Sequence, residues 1–418
     1  IILYSIIGIL SFIIGLGLYY NVENLFGETM SQDELGKAKI MMLLMVFNIA
    51  FTFPLSIFGS IITAYENFIF VKVISLSRIL LNTVIMILLL EIGYRAVGMV
   101  VLATVLNLVT LIINYWYCKN KIKIKISFQN MKLGLLKEVS IYSFYIFLNI
   151  IMNKVYWSTG QFVLGMYLGT AAVAVFAVAI QFQGMYMGFS TAISGVFLPK
   201  VTGMVAGNST DREISDLFVR TGRIQYIIMS FILAGFILFG RQFIILWAGP
   251  DYEEAFSITL LFFIALTIPL IQNLGITILQ ARNQMEFRSW LYFVMAIISL
   301  VFQILLAEKY GGLGVAYAIA GGLVLGNVII MNIYYHRKQH IDIIRFWREI
   351  LRMSIAPGII SIGTYYLLNG MIFESFGQLV IAIGIFSVVY LPVFWFSSMN
   401  TYERELLKKP MVNLLKRN

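Results

Sequence analysis

The sequence has very few of the residues that build disulfides, metal sites and nucleophilic sites. Its 418 residues include one cysteine, Cys118, and two histidines, His336 and His340. A single cysteine excludes an internal disulfide, and neither it nor the histidine pair belongs to a cluster with metal-ligand spacing. The histidines lie in one basic loop, where we expect solvated side chains rather than ligands. The sequence therefore predicts neither a metal nor a cofactor.

Charged residues are also scarce. They make up 12% of the chain, about half of the roughly 25% that soluble domains carry. The sequence contains no Ser/His/Asp set, no P-loop and no nucleotide-binding fingerprint. An enzyme acting on lipid-linked sugars needs acids, bases or metal ligands near the membrane interface, and the sequence offers little of that kind. These absences favour a protein that is not an enzyme.

Long apolar segments account for most of the chain. Apolar residues make up 60% of it, and twelve segments lie near the roughly 20 residues that a membrane-spanning helix needs. Because these segments are continuous rather than alternating, they predict helices and not the strands of a barrel. The predicted spans are about 1–20, 40–64, 72–90, 97–117, 139–165, 171–199, 223–246, 256–280, 287–307, 313–335, 353–370 and 376–398. The predicted fold class is an all-α polytopic membrane protein.

The basic residues are distributed unevenly between the two sides of the predicted membrane. When the loops are assigned to alternating sides, 24 of the 30 Lys and Arg residues fall on one side and five on the other. The positive-inside rule places the basic side, with the C-terminus, in the cytoplasm. The net charge of +10 is then spread along one membrane face, so it does not indicate a nucleic-acid partner. One lysine, Lys154, belongs to neither side.

Two of the basic linkers, residues 126–138 and 209–223, alternate apolar and charged residues at helical spacing. We expect both to form helices that lie on the inner leaflet. Thr210 and Glu213 have the spacing of a capping box, which predicts that a helix begins in the second linker.

An internal repeat relates two parts of the chain. Thr52, Pro54 and Leu55 recur 215 residues later, at positions 267, 269 and 270. Further matches follow in the same order: Gly59, Asn67, Lys72, Gly98 and Asn114 recur as Gly275, Asn283, Arg288, Gly314 and Asn332. Because a shift of six predicted helices preserves orientation, the repeat predicts two parallel helix bundles.

The repeat and the spans together predict three regions. Residues 1–125 form an N-terminal bundle, residues 126–340 a C-terminal bundle, and residues 341–418 a final helix pair with a cytoplasmic tail. The first two helices of the second bundle have no counterpart in the first. We therefore expect about two further helices, roughly 80 residues, before Ile1.

Lys154 is a lone charge near the centre of the predicted span 139–165. A lysine at that depth costs about 2.5–3.5 kcal/mol, so we expect it to face a wet cleft between the bundles rather than lipid. Ser158 and Gln161 follow on the same helical face. An ammonium, amides and aromatic rings suit a substrate that carries phosphate and sugars. The predicted cavity residues are Lys154, Asn153, Tyr156, Trp157, Ser158 and Gln161, with Gln181 and Gln183 from the next helix. The alternative is a lysine that only hydrogen-bonds neighbouring helices.

Two stretches of the sequence resemble motifs of a known family. The stretch from Trp157 to Gly165, continuing to Ala179, resembles the helix 7–8 signature of bacterial polysaccharide flippases. The stretch from Trp247 to Ala255 resembles their short external motif after helix 9. These flippases are the oligosaccharide-lipid members of the multidrug/oligosaccharidyl-lipid/polysaccharide exporter superfamily. Gly160 departs from the pattern, because the family often has an acid at that position.

The resemblance implies two six-helix lobes and a C-terminal helix pair, with this chain beginning at family helix 3. It also implies a function in the bacterial cytoplasmic membrane. An undecaprenyl-diphosphate-linked oligosaccharide would cross from the inner to the outer leaflet by alternating access, for surface polysaccharide biosynthesis. The implied partners are that lipid-linked substrate, the bilayer and other polysaccharide-assembly membrane proteins.

Three other functions stay open. A multidrug exporter of the same superfamily is disfavoured by a central lysine without a membrane carboxylate. A flippase for the peptidoglycan precursor fits the same residues. A membrane-bound polysaccharide polymerase or ligase belongs to a different class, and we expect such an enzyme to carry charged residues and histidines in a large external loop.

Overall fold

The computed structural model describes residues 2–124, 134, 152–207, 209–368 and 370–406. Every regular element within those ranges is a helix, which confirms the predicted all-α class. Nine of the described helices are long and apolar enough to cross a membrane. The predicted surface helix at 126–138 lies outside the described residues, apart from Gly134, and residues 407–418 of the predicted tail do so as well.

By their contacts, the residues fall into two units, Ile1–Tyr142 and Ser143–Asn418. The described helices of the first unit are α1 (Ile2–Tyr20), α2 (Val22–Phe26), α3 (Gln32–Ala64), α4 (Phe68–Glu91) and α5 (Ala96–Tyr117), with a π-helical turn at Cys118–Ile122. The long helix α3 packs against α1 and α5. The small core of this unit contains Phe58, Ile62 and Cys118, whereas α4 has no buried residue. Much of the apolar surface of this unit is therefore exposed, as expected for helices that face lipid.

The second unit is larger and has a continuous core. Its described helices are α6 (Thr159–Leu168), α7 (Thr170–Ala206), α8 (Asp211–Ala248), α9 (Glu254–Ile271), α10 (Leu274–Ala281), α11 (Glu286–Leu323), α12 (Met331–Arg337), α13 (Ile343–Leu368) and α14 (Phe376–Val393). Residues 152–157 are helical and lead into α6 through a turn at Ser158. Apolar side chains of α7, α8, α9 and α11 meet in the core, among them Phe176, Phe218 and Phe262.

Helix α8 begins at the predicted capping box. The hydroxyl of Thr210 accepts the N–H of Glu213, and the Glu213 carboxylate accepts the N–H of Thr210 at 2.8 Å. The helix then continues without a break to Ala248, and Ile214 and Phe218 in its first part are buried. The prediction of a separate helix on the membrane surface at 209–223 is therefore wrong. Its apolar face packs against protein, with the Phe218 ring 5.2 Å from that of Phe346.

Helix α11 turns back on itself at Gly311. This residue has a φ of 59°, a conformation that glycine adopts without steric cost. The hydroxyl of Ser299, before the turn, donates to the carbonyl of Ala318, after it, at 3.2 Å, so the two halves lie side by side. The second half passes through a π-helical segment, Val324–Ile330, into α12. The turn falls between the two spans that the sequence predicts at 287–307 and 313–335.

The last two helices pack against α8. A separate apolar cluster joins Ala234 and Phe239 of α8 to Met353 of α13 and to Phe386 and Tyr390 of α14. The helix pair predicted at the C-terminal end is thus attached to the second unit by its own core.

Candidate functional site

Lys154, Ser158 and Gln161 lie along the outer face of the second unit. The N–H of Ser158 donates to the Lys154 carbonyl at 2.8 Å, which continues the helical register up to the start of α6. Lys154 and Ser158 are exposed and Gln161 is half-buried. The structure thus places these three side chains in one stripe that the unit's own core does not cover.

Two of the predicted cavity residues point into the core instead. Tyr156 is 1% exposed, and its hydroxyl donates to the carbonyl of Ile319 at 2.7 Å. Gln183 is 4% exposed and donates to the Met187 sulfur. Gln181 is exposed, because residues two apart on a helix point in different directions. Tyr156 and Gln183 therefore stabilise the fold rather than line an open surface.

Asn153 and Trp157 open onto a polar cavity of about 140 Å³ inside the second unit. The cavity is also lined by Gln272 and Asn273, by Arg288 and Tyr292 of α11, and by Asn327. The other lining residues are apolar side chains and Tyr335. Side chains from α9, α10 and α11 thus converge beside the segment that carries Lys154.

Among the described residues that line this cavity, Arg288 is the one that carries a charge. It lies half-buried in the first turn of α11, with its guanidinium 5.8 Å from the centre of the Tyr292 ring. Among the described residues, no carboxylate lies within 4.0 Å of it. The hydroxyl of Tyr292 donates to the Asn153 side-chain oxygen at 3.2 Å. The cavity therefore presents a positive charge without a counter-ion, next to amide and hydroxyl groups.

A pair of amides fixes the wall beside Arg288. Gln272 donates to the Asn332 side-chain oxygen at 2.9 Å, and Asn332 donates back at 3.1 Å. The indole N–H of Trp347 also donates to Asn332, at 3.1 Å. These bonds join the turn between α9 and α10 to α12 and α13. They were not predicted from the sequence, although Arg288 and Asn332 both belong to the internal repeat.

The position of Gly160 accounts for the missing acid. A Cβ atom added to Gly160 would lie 2.6 Å from Val315 Cγ1 and 3.3 Å from the Gln303 side-chain oxygen. The space that an acidic side chain needs is thus occupied by the second half of α11. Within the described parts of the chain, no group of three or more His, Cys, Asp or Glu residues could hold a metal ion.

The structure is that of a polytopic helical membrane protein. The chain belongs to the polysaccharide biosynthesis protein family, whose model matches residues 8–257. A comparison of the sequence with curated proteins gave no match.

One solved structure is similar over nearly the whole chain. It is the lipid II flippase MurJ in an inward closed conformation, with a TM-score of 0.70 and 18% sequence identity. The similarity covers 94% of this chain and 82% of that one. At this identity the likeness concerns the fold alone.

Proposed function

We propose that this protein is a flippase that moves a lipid-linked oligosaccharide across the bacterial cytoplasmic membrane. The family match supports a role in polysaccharide biosynthesis, and the MurJ-like fold supports a flippase. The substrate is an undecaprenyl-diphosphate-linked oligosaccharide. The protein acts as a transporter rather than an enzyme, with the C-terminus in the cytoplasm.

The observation that carries this proposal is the uncompensated charge of Arg288. A half-buried guanidinium without a carboxylate partner attracts an anion, and its planar donors match the oxygens of a phosphate. The amides of Asn153 and Asn273 can bond sugar hydroxyls. Trp157 adds a half-buried aromatic face. Such a set binds a substrate that combines a diphosphate with sugars, and it disfavours organic cations.

Lys154 adds a second cation on the same unit. It lies one residue from Asn153, which lines the cavity, and its side chain is exposed. Ser158 and Gln161 extend its face with neutral polar groups. In the proposed cycle, the two cations hold the diphosphate while the transporter alternates between its inward-open and outward-open states.

Translocation in proteoliposomes tests the proposal. The full-length protein is reconstituted with a fluorescent undecaprenyl-diphosphate oligosaccharide, and the dye that becomes accessible to a quencher outside is measured. We expect transport by the wild type and a loss of about tenfold to hundredfold in Arg288→Gln, the scale of a charged hydrogen bond. Lys309→Gln removes an exposed cation at the far end of the same half-helix and should leave transport unchanged.

The second candidate is a lipid II flippase, which the MurJ likeness favours. The same vesicles are therefore loaded with fluorescent lipid II. Transport of lipid II with no transport of the oligosaccharide lipid would replace the proposed substrate. Transport of neither lipid by the wild type would overturn the flippase proposal.

A further inference from the structure

Arg78 lies deep within a membrane-spanning helix of the first unit. Helix α4 contains 24 residues, Phe68–Glu91, and Arg78 is about 15 Å along it at 1.5 Å per residue. The helix extends ten residues before Arg78 and thirteen residues beyond it.

The guanidinium of Arg78 is held by a neutral partner. Its Nη1 donates to the side-chain oxygen of Asn107 on α5 at 3.2 Å. The orientation of this amide is fixed, because its nitrogen donates to Asn48 at 2.6 Å and to Thr52 at 2.7 Å, both on α3. Among the described residues, no carboxylate lies within 4.0 Å of Arg78. The network orients the arginine without neutralising it.

Arg78 also lines a groove of about 280 Å³ between α4 and α5. The polar residues of the groove are Ser75, Thr110 and Asn114, and the others are aliphatic. The Ser75 hydroxyl and the Asn114 amide can donate hydrogen bonds to a ligand, as can the edge of the guanidinium that does not contact Asn107. The Thr110 hydroxyl already donates to the Leu106 carbonyl at 2.8 Å. A metal cation is excluded by the arginine, whereas an anion with several oxygens is matched by this set of donors.

We propose that this groove binds a phosphate group of a lipid headgroup. The lipid is the substrate of the flippase proposed above, and the inference rests on that proposed function. An arginine within the membrane needs water or an anion to offset its charge. The guanidinium can bind two phosphate oxygens side by side. The first unit thus has its own phosphate site, built from α3, α4 and α5, in addition to the cavity around Arg288 in the second unit.

Binding of undecaprenyl diphosphate to the purified full-length protein tests the inference. The variants are Arg78→Gln, which removes the charge, and Asn107→Asp, which places a carboxylate where the Asn107 oxygen now contacts Arg78. Both variants should weaken binding by about tenfold to hundredfold. Arg78→Gln removes the charged donor, and in Asn107→Asp the new carboxylate competes with the phosphate for the guanidinium. Arg95→Gln is the matched control, since it removes an exposed cation of the same unit at the start of α5. Thermal unfolding verifies that each variant is folded.

Two further probes separate the possible sources of the phosphate. Undecaprenol lacks phosphate, and its binding should not change in Arg78→Gln. Phosphatidylglycerol represents the bilayer lipids. If the variants lose only phosphatidylglycerol binding, the site belongs to the bilayer and the proposal is overturned. Wild-type affinity for undecaprenyl diphosphate in a folded Asn107→Asp variant would also overturn it.

Failure of this site can be distinguished from failure of the proposed function. If the wild type neither binds nor transports the lipid-linked substrate, the proposed function fails. If the wild type binds it, Arg288→Gln weakens that binding and Arg78→Gln does not, then only the site in the first unit fails.

Discussion

Arg223 and Glu403 form a buried, doubly hydrogen-bonded ion pair that joins α8 to the segment after α14. Arg223 Nε lies 2.6 Å from Glu403 Oε1, and Nη2 lies 3.1 Å from Oε2. The two side chains are 7% and 2% exposed. Arg223 Nη1 also donates to Glu349 of α13 at 2.7 Å. One guanidinium therefore connects three segments of the second unit.

Removing the carboxylate of Glu403 should destabilise this unit. We expect Glu403→Gln to lower the free energy of unfolding by about 1.5–3 kcal/mol, because the buried guanidinium loses charge-assisted hydrogen bonds while Glu349 still balances its charge. The matched control is Glu253→Gln, which breaks the exposed pair with Arg241 and should cost about 0–1 kcal/mol. Denaturant unfolding of the purified protein measures both. Equal losses would contradict a special role for the buried pair.

The buried hydroxyl of Tyr156 predicts a change in stability without a change in binding. Tyr156→Phe removes the hydrogen bond from the Tyr156 hydroxyl to the Ile319 carbonyl, which should lower the free energy of unfolding by about 0.5–1.5 kcal/mol. Tyr167→Phe, at a tyrosine that is 42% exposed, is the control. Affinity for the lipid-linked substrate is measured alongside. A loss of affinity at unchanged stability would mean that Tyr156 contacts the substrate after all.

The features that depend on neighbouring residues were predicted well from the sequence. The apolar segments indicated the spans because a helix must be about 20 residues long to cross the bilayer. The capping box at Thr210 and Glu213 depends on a spacing of three residues, and the structure confirms it. The turn at Gly311 falls where the sequence predicts a short connection.

The features that depend on which helix faces meet could not be predicted. Tyr156 and Trp157 are adjacent, but one is buried and the other lines the cavity, and a helix that is apolar all around gives no signal for either choice. The Gln272–Asn332 pair joins residues 60 positions apart. The contact of Arg78 with Asn107 was missed because it joins residues 29 positions apart on different helices.

The internal repeat stays a prediction, with one structural parallel in its favour. Phe70 and Tyr117 stack at 3.8 Å between the start of α4 and the end of α5. Phe287 and Tyr334 stack at 4.2 Å between the start of α11 and α12. Superposition of α3–α5 on α9–α12 within each unit's own frame would test the repeat directly.

Restoring an acid at Gly160 should damage the fold. A side chain there would collide with Val315, so we expect Gly160→Asp to lower the free energy of unfolding by at least about 1–3 kcal/mol through overpacking. Gly184→Ala is the control, because no atom lies within 4 Å of its added Cβ. A double variant, Gly160→Asp with Val315→Ala, should recover part of the stability. If Gly160→Asp alone is as stable as the wild type, α11 shifts enough at Val315 to accommodate the added side chain.

The exposed charge of Lys154 leads to a prediction about transport rather than stability. If its ammonium attracts the diphosphate, Lys154→Ala should reduce translocation of the lipid-linked oligosaccharide by about tenfold or more at unchanged protein level. Lys154→Arg should retain more activity, because the positive charge is kept. Lys200→Ala removes another exposed lysine of the same unit and should have little effect. Equal loss of transport in the alanine and arginine variants would indicate a role in shape or packing. Full activity in Lys154→Ala would remove this residue from the mechanism. Arg288 would then be the cation that holds the diphosphate in this unit.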